Sequence, residues 1–410
     1  MAALREVVVV ETVRSAIGKS GRDGMKKNGQ LCQASSQELL AAMLRGLVDR
    51  VKARCPNFDE ANIEDVIVGC LSQIGEQGSN LARFSALLAG LPESVSACTV
   101  NQFCNAGLKS IMFAAQGIQT GNGDVMVCAG AEIMSHYGMG SDVMVAMAAG
   151  LPVRFSERQE EIGMGVPQGL CAEMISADEG HTREDLDRFA LSSMQKAVTA
   201  QRNGWFDSIV PYEYTYEGVT RRVDTDEVLR PKAVDDPKGF IEDLRKLPAP
   251  FKEGGIVTAG NSSQIVDGAA AVMLMSADKA AQLGLEPLAI IRGMAVAGGA
   301  PVPMLLAPIP AMKKALARCG KTMDDMDVIE PNEAFASPCL AFANAFGYPY
   351  SDPRVNPTGG AIALGHPIGA SGVMYFGEMV RHLKRSGGKF GIQTLCGGGG
   401  LGVAMVVEAV

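Results

Sequence analysis

A chain of 410 residues is too long for one typical hydrophobic core and divides into two or three domains. Its 47% hydrophobic and 20% charged residues give the balance of an ordinary globular enzyme, and its 48 glycines follow no G-x-y period, which excludes a collagen-like rod and points to many tight turns. A formal net charge of -8 without any Lys/Arg run argues against nucleic-acid partners, so an anionic ligand has to be met by a local site.

The first segment, MAALREVVVVETVRSAIG, carries no basic leader and enters a strand expected over residues 5–13. An amphipathic helix is predicted over 36–53, with Leu39, Leu40, Met43, Leu47 and Val51 on one face. An apolar strand at 65–70, a helix at 80–89 ending on Gly90, and a strand at 95–100 lead into NQFCNAGLKS. This alternation predicts an α/β domain with helices over a parallel or mixed sheet. From 107 to about 119, Leu108, Ile111, Met112, Ala115 and Ile118 share one face and small residues fill most of the other, so this helix is expected to be buried all round. Cys104 then stands at or just before its N-terminus. A strand at 125–129, closed by Gly130, follows.

Residues 135 to 260 change texture, first methionine-rich (Met139, Met144, Met147), then charged and broken by prolines. Thr182 to Asp185, TRED, has the form of a capping box with Asp in place of Glu, and opens a helix through Leu186, Phe189, Leu191, Met194 and Val198. The segment reads as an excursion that covers a substrate, after which a buried strand returns at 269–275. The C-terminal part repeats the order of the first: VNPTGGAIALGHPIGASG (355–372) turns into a helix, a strand at 390–395 is closed by Cys396 and four glycines, and a last strand spans 401–407. This points to two halves of similar fold facing across a pseudo-twofold axis. The expected division is 1–134 and 263–286 for one core, 135–262 for the insertion and 287–410 for the second core.

His366 sits in the glycine-rich run, with Pro367 suited to the first position of the helix that follows. The ten cysteines contain no C-x-x-C pair and no histidine at metal-ligand spacing, so no zinc site and no disulfide framework are signalled; reduced thiols in the cytoplasm are the expectation. No stretch approaches the roughly 18 apolar residues of a membrane helix, and the C-terminal VVEAV carries no sorting tripeptide. His136, His181 and His382 read as surface or capping residues.

Five stretches, NQFCNAGLKS, AGNSSQIVDGAAA, EPNEAFA, VNPTGGAIALGHPIGASG and LCGGGGLG, occur in an order and spacing that resembles the thiolases, the acyl-CoA C-acetyltransferases. A thiolate is a strong nucleophile, and a helix N-terminus with an imidazole nearby favours its ionisation, roles open to Cys104 and His366. The resemblance implies that Cys104 takes the acyl group as a thioester, that His366 activates it, and that Asn332 orients a water completing the first oxyanion site. The second oxyanion site falls to the backbone amides of Cys104 and Gly398. Cys396 becomes the acid/base at the acetyl-CoA methyl carbon, and Ser263 a contact of the pantetheine of coenzyme A. Glu333 is either a hydrogen-bond partner of the histidine or a turn cap.

The implied fold is thiolase-like, two βαβαβαββ cores in a layered α/β arrangement plus the inserted loop domain. The implied activity is reversible cleavage of 3-oxoacyl-CoA, with coenzyme A as co-substrate and neither metal nor tightly bound cofactor. A homodimer or homotetramer follows, with an additional subunit in specialised pathways and no membrane partner. Pro167 and Gln168 replace the His-Met of a common covering-loop element, and Leu305 to Pro308 stand in place of a G-x-G-P element; these departures leave the catalytic four intact and leave the acyl chain, short, long, branched or aromatic, undetermined. The alternatives are a decarboxylating ketoacyl-synthase-like enzyme, which has no need of Cys396, and a non-catalytic acyl-CoA-binding subunit.

Overall fold

Valine-rich segments form the strands that hold the molecule together, and a computed structural model describes them within residues 4–20 and 28–410. β1 (Val7–Arg14) is buried along its length, with Val8 and Val10 in one hydrophobic cluster and Val7 and Val9 in another, the alternation of a strand covered on both faces. The short β2 (Gly18–Lys19) precedes α1 (Ser36–Arg54), whose expected apolar face is buried and whose N-cap Ser35 accepts from the Glu38 amide. β3 (Asp65–Gly69), α2 (Leu81–Leu88) and β4 (Ser96–Val100) follow near their predicted places. In α3 (Ala106–Thr120) the five expected residues are buried, yet Phe113 and Gln116 are exposed, so that helix is not enclosed on all sides.

β5 (Val125–Ile133) runs four residues past the expected stop. Gly130 does not end it: a Cβ there would lie 2.1 Å from the carbonyl oxygen of Gly369, so the glycine admits the close approach of another segment. The excursion holds α4 (Ser141–Ala148), α5 (Glu157–Glu161), α6 (Gln168–Glu179) and α7 (Arg183–Arg202), the last opened by the Thr182/Asp185 capping box. A hairpin of β6 (Tyr212–Tyr216) and β7 (Val219–Val223) comes next, with α8 (Lys232–Asp235) and α9 (Pro237–Arg245) after it. The chain re-enters the core as β8 (Val266–Ser276) and α10 (Ala277–Gln282).

The second half comprises β9 (Ala289–Gly298), α11 (Pro308–Arg318), β10 (Val328–Pro331), α12 (Ala336–Phe346), α13 (Ala361–Leu364), α14 (Ile368–Ser386), β11 (Phe390–Gly397) and β12 (Leu401–Ala409). The strands join in the order β10-β11-β12-β9-β1-β8-β5-β3-β4. From the antiparallel β1/β9 junction outward, each half runs first strand, last strand, last-but-one strand, then a parallel neighbour: β1, β8, β5, β3 on one side and β9, β12, β11, β10 on the other. The pairing directions match step for step, which is the pseudo-twofold relation legible in the sequence.

The helix before each last-but-one strand, α3 and α14, lies at the centre, and the two touch backbone to backbone. A Cβ on Gly107 would lie 2.7 Å from the Gly369 oxygen, and one on Gly372 would lie 2.1 Å from the Leu108 nitrogen. The excursion is tied down by charge as well as by packing. Buried Arg14 of β1 pairs with Asp226 at 2.8 Å and with Glu378 of α14 at 2.7 Å, and lies over the Phe206 ring. Among the described residues no helix is long and apolar enough to cross a membrane.

Candidate active site

Cys104 is presented by a turn between the end of β4 and the start of α3. The Asn101 side chain accepts from the Phe103 amide at 2.8 Å, and the Asn105 amide donates to the Gln102 carbonyl at 3.1 Å. Phe103 itself takes a positive φ of 53°, a conformation bulky residues rarely adopt. The thiol that follows is buried, and loss of hydration pushes its pKa up to about 12, with Glu132 adding to the rise and hydrogen bonding from its own amide and the Gln168 side chain opposing it. Burial thus opposes the ionisation that a helix N-terminus and an imidazole favour, and Cys104 lies one residue outside the N-cap Asn105.

His366 is held from three directions. Its amide donates to the Gln264 carbonyl at 3.0 Å, while the Gln264 side chain grips the preceding turn through the carbonyls of Ile362 (3.1 Å) and Ala363 (2.8 Å). Nδ1 lies 2.6 Å from Ser371 Oγ, and that hydroxyl donates to the Pro367 carbonyl at 3.0 Å. Nε2 is buried with no hydrogen-bond partner among the described residues. Burial lowers the imidazole pKa to about 4, so the ring is neutral at physiological pH. Pro367 serves as the N-cap of α14 and not as its first residue.

Glu333 does not touch the histidine. Its carboxylate accepts from Asn356 (2.6 Å), Ser193 (2.6 Å) and the Ile362 amide (3.0 Å), tying the loop before α13 to α7 of the excursion. Its neighbour Asn332 is the opposite case: both its side-chain oxygen and nitrogen are buried without a partner among the described residues. Unpaired buried amides are costly, and such a group is explained by a ligand or water that it serves. The Asn332 amide donates to Thr394 at 2.9 Å, which fixes it beside the end of β11, two residues before Cys396.

Cys396 is buried, and loss of hydration raises its pKa, with the nearby charge of Cys104 as the next cause. The two thiols therefore lie within electrostatic reach of each other. Gly398 follows the strand end, where a Cβ would sit 3.5 Å from the Phe103 ring, so the glycine loop abuts the turn that carries Cys104. Ser263 is half-buried, its amide donating to the Ala334 carbonyl at 2.9 Å, and adjoins Gln264. Hydrogen bonds thus link Asn332, Ser263 and His366 along neighbouring backbone, while Cys104 shares a small apolar cluster with Ile368 at the start of α14.

Four residues absent from the sequence-derived set support these groups: Ser371 behind the imidazole, Gln264 beneath its turn, Asn105 beside the nucleophile, and Glu132. The Glu132 carboxylate accepts from the amides of Leu71 (2.9 Å), Ser72 (3.0 Å) and Gly369 (3.0 Å), satisfying an N-terminal amide of α14. Ser371, Gln264 and Asn105 lie within stretches already singled out, five residues after His366, next to Ser263 and next to Cys104, whereas Glu132 carries no signal without the fold. The remaining histidines engage elsewhere: His136 Nε2 meets the Cys32 carbonyl at 2.9 Å, the His181 amide closes the end of α6, and His382 packs edge-on to Trp205. Among the described residues no His/Cys/Asp/Glu cluster could hold a metal ion.

Comparison with known proteins gives this arrangement a context. The chain matches the family model for the thiolase N-terminal domain over residues 7–278 and that for the thiolase C-terminal domain over residues 285–409. It is 41% identical over 410 residues to a 3-ketoacyl-CoA thiolase of Alcanivorax borkumensis, covering 99% of each. It is 39% identical over 422 residues to the 3-oxoadipyl-CoA/3-oxo-5,6-dehydrosuberyl-CoA thiolase of Escherichia coli, covering 99% of this chain and 100% of that one. The crystal structure of the Bacillus anthracis acetyl-CoA acetyltransferase is similar throughout, with a TM-score of 0.86 at 33% identity and 100% coverage of both chains.

Proposed function

We propose that this chain, which belongs to the thiolase family and is an acyltransferase, cleaves 3-oxoacyl-CoA with coenzyme A to acyl-CoA and acetyl-CoA, reversibly, through an acyl thioester on Cys104. The observation that carries the reading is the bare, buried Nε2 of a neutral His366 in a site that also holds two buried thiols within electrostatic reach of each other. In cleavage, Nε2 takes the Cys104 proton as sulfur attacks the 3-oxo carbon. The bond between C2 and C3 then breaks, and Cys396 protonates the departing enolate of acetyl-CoA. The coenzyme A thiol next attacks the acyl-Cys104 thioester, returning the acyl group to coenzyme A and the proton to the enzyme.

Developing negative charge needs fixed donors at two places. His366 with a water oriented by Asn332 serves the thioester oxygen of the acyl-CoA, and the amides of Cys104 and Gly398 serve the oxygen on the acylated cysteine. Ser263 contacts the pantetheine arm. The two catalytic halves are 1–134 with 263–286, and 287–410; the insertion 135–262 covers the bound acyl-CoA. We place the enzyme in the cytoplasm, acting in β-oxidation-type degradation as a homodimer or homotetramer, with an additional subunit where a pathway demands one. Its acyl group is larger than acetoacetyl, a reading supported by the names of the relatives and by the departure from the family's covering-loop element at Pro167 and Gln168.

Mass spectrometry after incubation with acetyl-CoA tests the roles. The adduct is expected on Cys396→Ser protein and absent from Cys104→Ser protein; a stable acyl group on Cys396 would reverse the assignment. A substrate panel of acetoacetyl-CoA, longer 3-oxoacyl-CoAs, 3-oxoadipyl-CoA and malonyl-CoA tests the rest. Turnover that is highest with acetoacetyl-CoA and falls with every larger chain sinks the larger-acyl reading, and release of carbon dioxide from malonyl-CoA sinks the thiolase assignment.

A further inference from the structure

β10 ends at Pro331, which faces Thr394, so the parallel ladder along that side of β11 stops two residues before Cys396. Carbonyls beyond the end of a ladder need other donors, because a buried unpaired backbone group is costly. The residue that meets them comes from the opposite half of the molecule. Asn105, fully buried and next in sequence to Cys104, places one end of its carboxamide against the carbonyl oxygens of Leu395 at 3.1 Å and Cys396 at 3.0 Å, and with the NH2 assigned to that end it donates to both. Those two acceptors fix which way the carboxamide faces.

The surroundings are shaped for this contact. A Cβ at Gly397 would lie 3.2 Å from the Asn105 carboxamide carbon and 2.9 Å from the terminal atom that is its oxygen once the NH2 faces the two carbonyls, so the glycine after Cys396 leaves room that any other residue would fill. Asn105 is also the N-cap of α3, and its own carbonyl accepts from the Lys109 amide at 2.8 Å, so its backbone moves with that helix. A helix-anchored residue bonded to Cys104 by a peptide link thus holds the carbonyl of Cys396 by a hydrogen bond, across 291 positions of sequence.

We propose that Asn105 is a positioning residue that sets Cys396 against the acylated Cys104, and that it serves proton transfer at carbon more than acylation. Acylation needs Cys104 and His366, which Asn105 leaves untouched. Proton transfer needs the Cys396 sulfur within reach of a carbon bonded to, or departing from, the Cys104 acyl group, and small displacements of a reacting group are costly in rate. The proposal rests on the roles assigned above to the two cysteines.

The test compares two half-reactions in full-length enzyme: acyl-adduct formation from acetyl-CoA, and exchange of acetyl methyl protons with deuterated solvent. Asn105→Ala is expected to slow exchange at least tenfold while adduct formation and the KM for acetyl-CoA stay within threefold of wild type. Asn105→Asp at pH 8 keeps the shape but turns oxygen toward the two carbonyls, and is expected to lose exchange at least as severely. It also stands in if the alanine variant does not fold. Parallel loss of both half-reactions, or wild-type exchange in either variant, overturns the proposal. Cys396→Ser measured alongside separates the causes: if it exchanges like wild type, the role of Cys396 has failed and this proposal falls with it, whereas if it loses exchange and the Asn105 variants do not, only the proposal falls.

Discussion

Ser371 sets the tautomer of His366. Its hydroxyl has one proton; assigned to the Pro367 carbonyl at 3.0 Å, that proton leaves the same oxygen to accept at 2.6 Å from Nδ1–H of the imidazole. Nε2 is then the bare nitrogen, and it is the one left without a partner. Ser371→Ala frees the ring to hold its proton on either nitrogen and leaves a buried N–H unsatisfied. The expected result is a fall in kcat of roughly 10- to 100-fold, a part of what a general base contributes, with KM nearly unchanged. Steady-state kinetics on a 3-oxoacyl-CoA checks it, and a KM effect with intact kcat would assign Ser371 to binding instead.

Burial disfavours both charged forms, the Cys104 thiolate and the His366 imidazolium, so the resting groups are a thiol and a neutral imidazole. With its pKa raised to about 12 by burial, Cys104 carries at neutral pH about a thousandfold less thiolate than an ordinary thiol near 9. Alkylation of Cys104 by iodoacetamide, followed on its own peptide because Cys98 is exposed, is expected to rise about tenfold per pH unit through pH 10 without levelling. A plateau near pH 7 would show a thiolate stabilised by its surroundings. Stability carries the matching sign. The folded state holds this proton above the unfolded value, so the contribution is complete below about pH 9 and is lost as pH rises toward 12.

The strands and helices that bear the catalytic residues were legible because their periodicity is local. His366 at a helix mouth, the Thr182 capping box and the five apolar residues of α3 needed only neighbours in sequence. The errors share a cause in tertiary contact. Gly130 resembles a strand end because its neighbour, the Gly369 carbonyl, is 239 positions away, and the burial that opposes Cys104 ionisation likewise comes from distant segments. Of the two roles open to Glu333, partner of the histidine or turn cap, the sequence could not choose, because its donors Ser193 and Asn356 reach it from α7 and from the loop before α13. Glu132 carries no sequence signal for the same reason, and Asn105, though inside NQFCNAGLKS, shows no role there because its partners lie at Leu395 and Cys396.

Asn332 separates function from stability. Neither polar atom of its side-chain amide has a hydrogen-bond partner among the described residues, so Asn332→Ala removes no hydrogen bond seen there and relieves the burial of two polar atoms. The variant is expected to be at least as resistant to urea as wild type while kcat falls about 100-fold, the scale of a lost oxyanion donor. A destabilised variant with intact turnover would make Asn332 a structural residue and remove the oriented water from the mechanism.

The two halves deliver their residues to one site because α3 and α14 approach without side chains between them, and that closeness can be tested on a single helix. Gly372→Ala places a Cβ 2.1 Å from the Leu108 nitrogen and 2.8 Å from the Gly107 carbonyl carbon, both backbone atoms that cannot turn aside. Gly377→Ala, five residues on, meets the Thr12 side chain at 3.1 Å, a tight contact with a group that can shift by tenths of an ångström. Alanine also favours helix over glycine by about 1 kcal/mol, which offsets much of that smaller clash. Overpacking at Gly372 is expected to cost about 3 kcal/mol in denaturant unfolding, the upper end of the usual range, and to lower acyl-adduct formation, since parting the helices draws His366 away from Cys104. Gly377→Ala should unfold within about 1 kcal/mol of wild type. If both variants behave alike, the contact between α3 and α14 is not what brings the imidazole to the nucleophile.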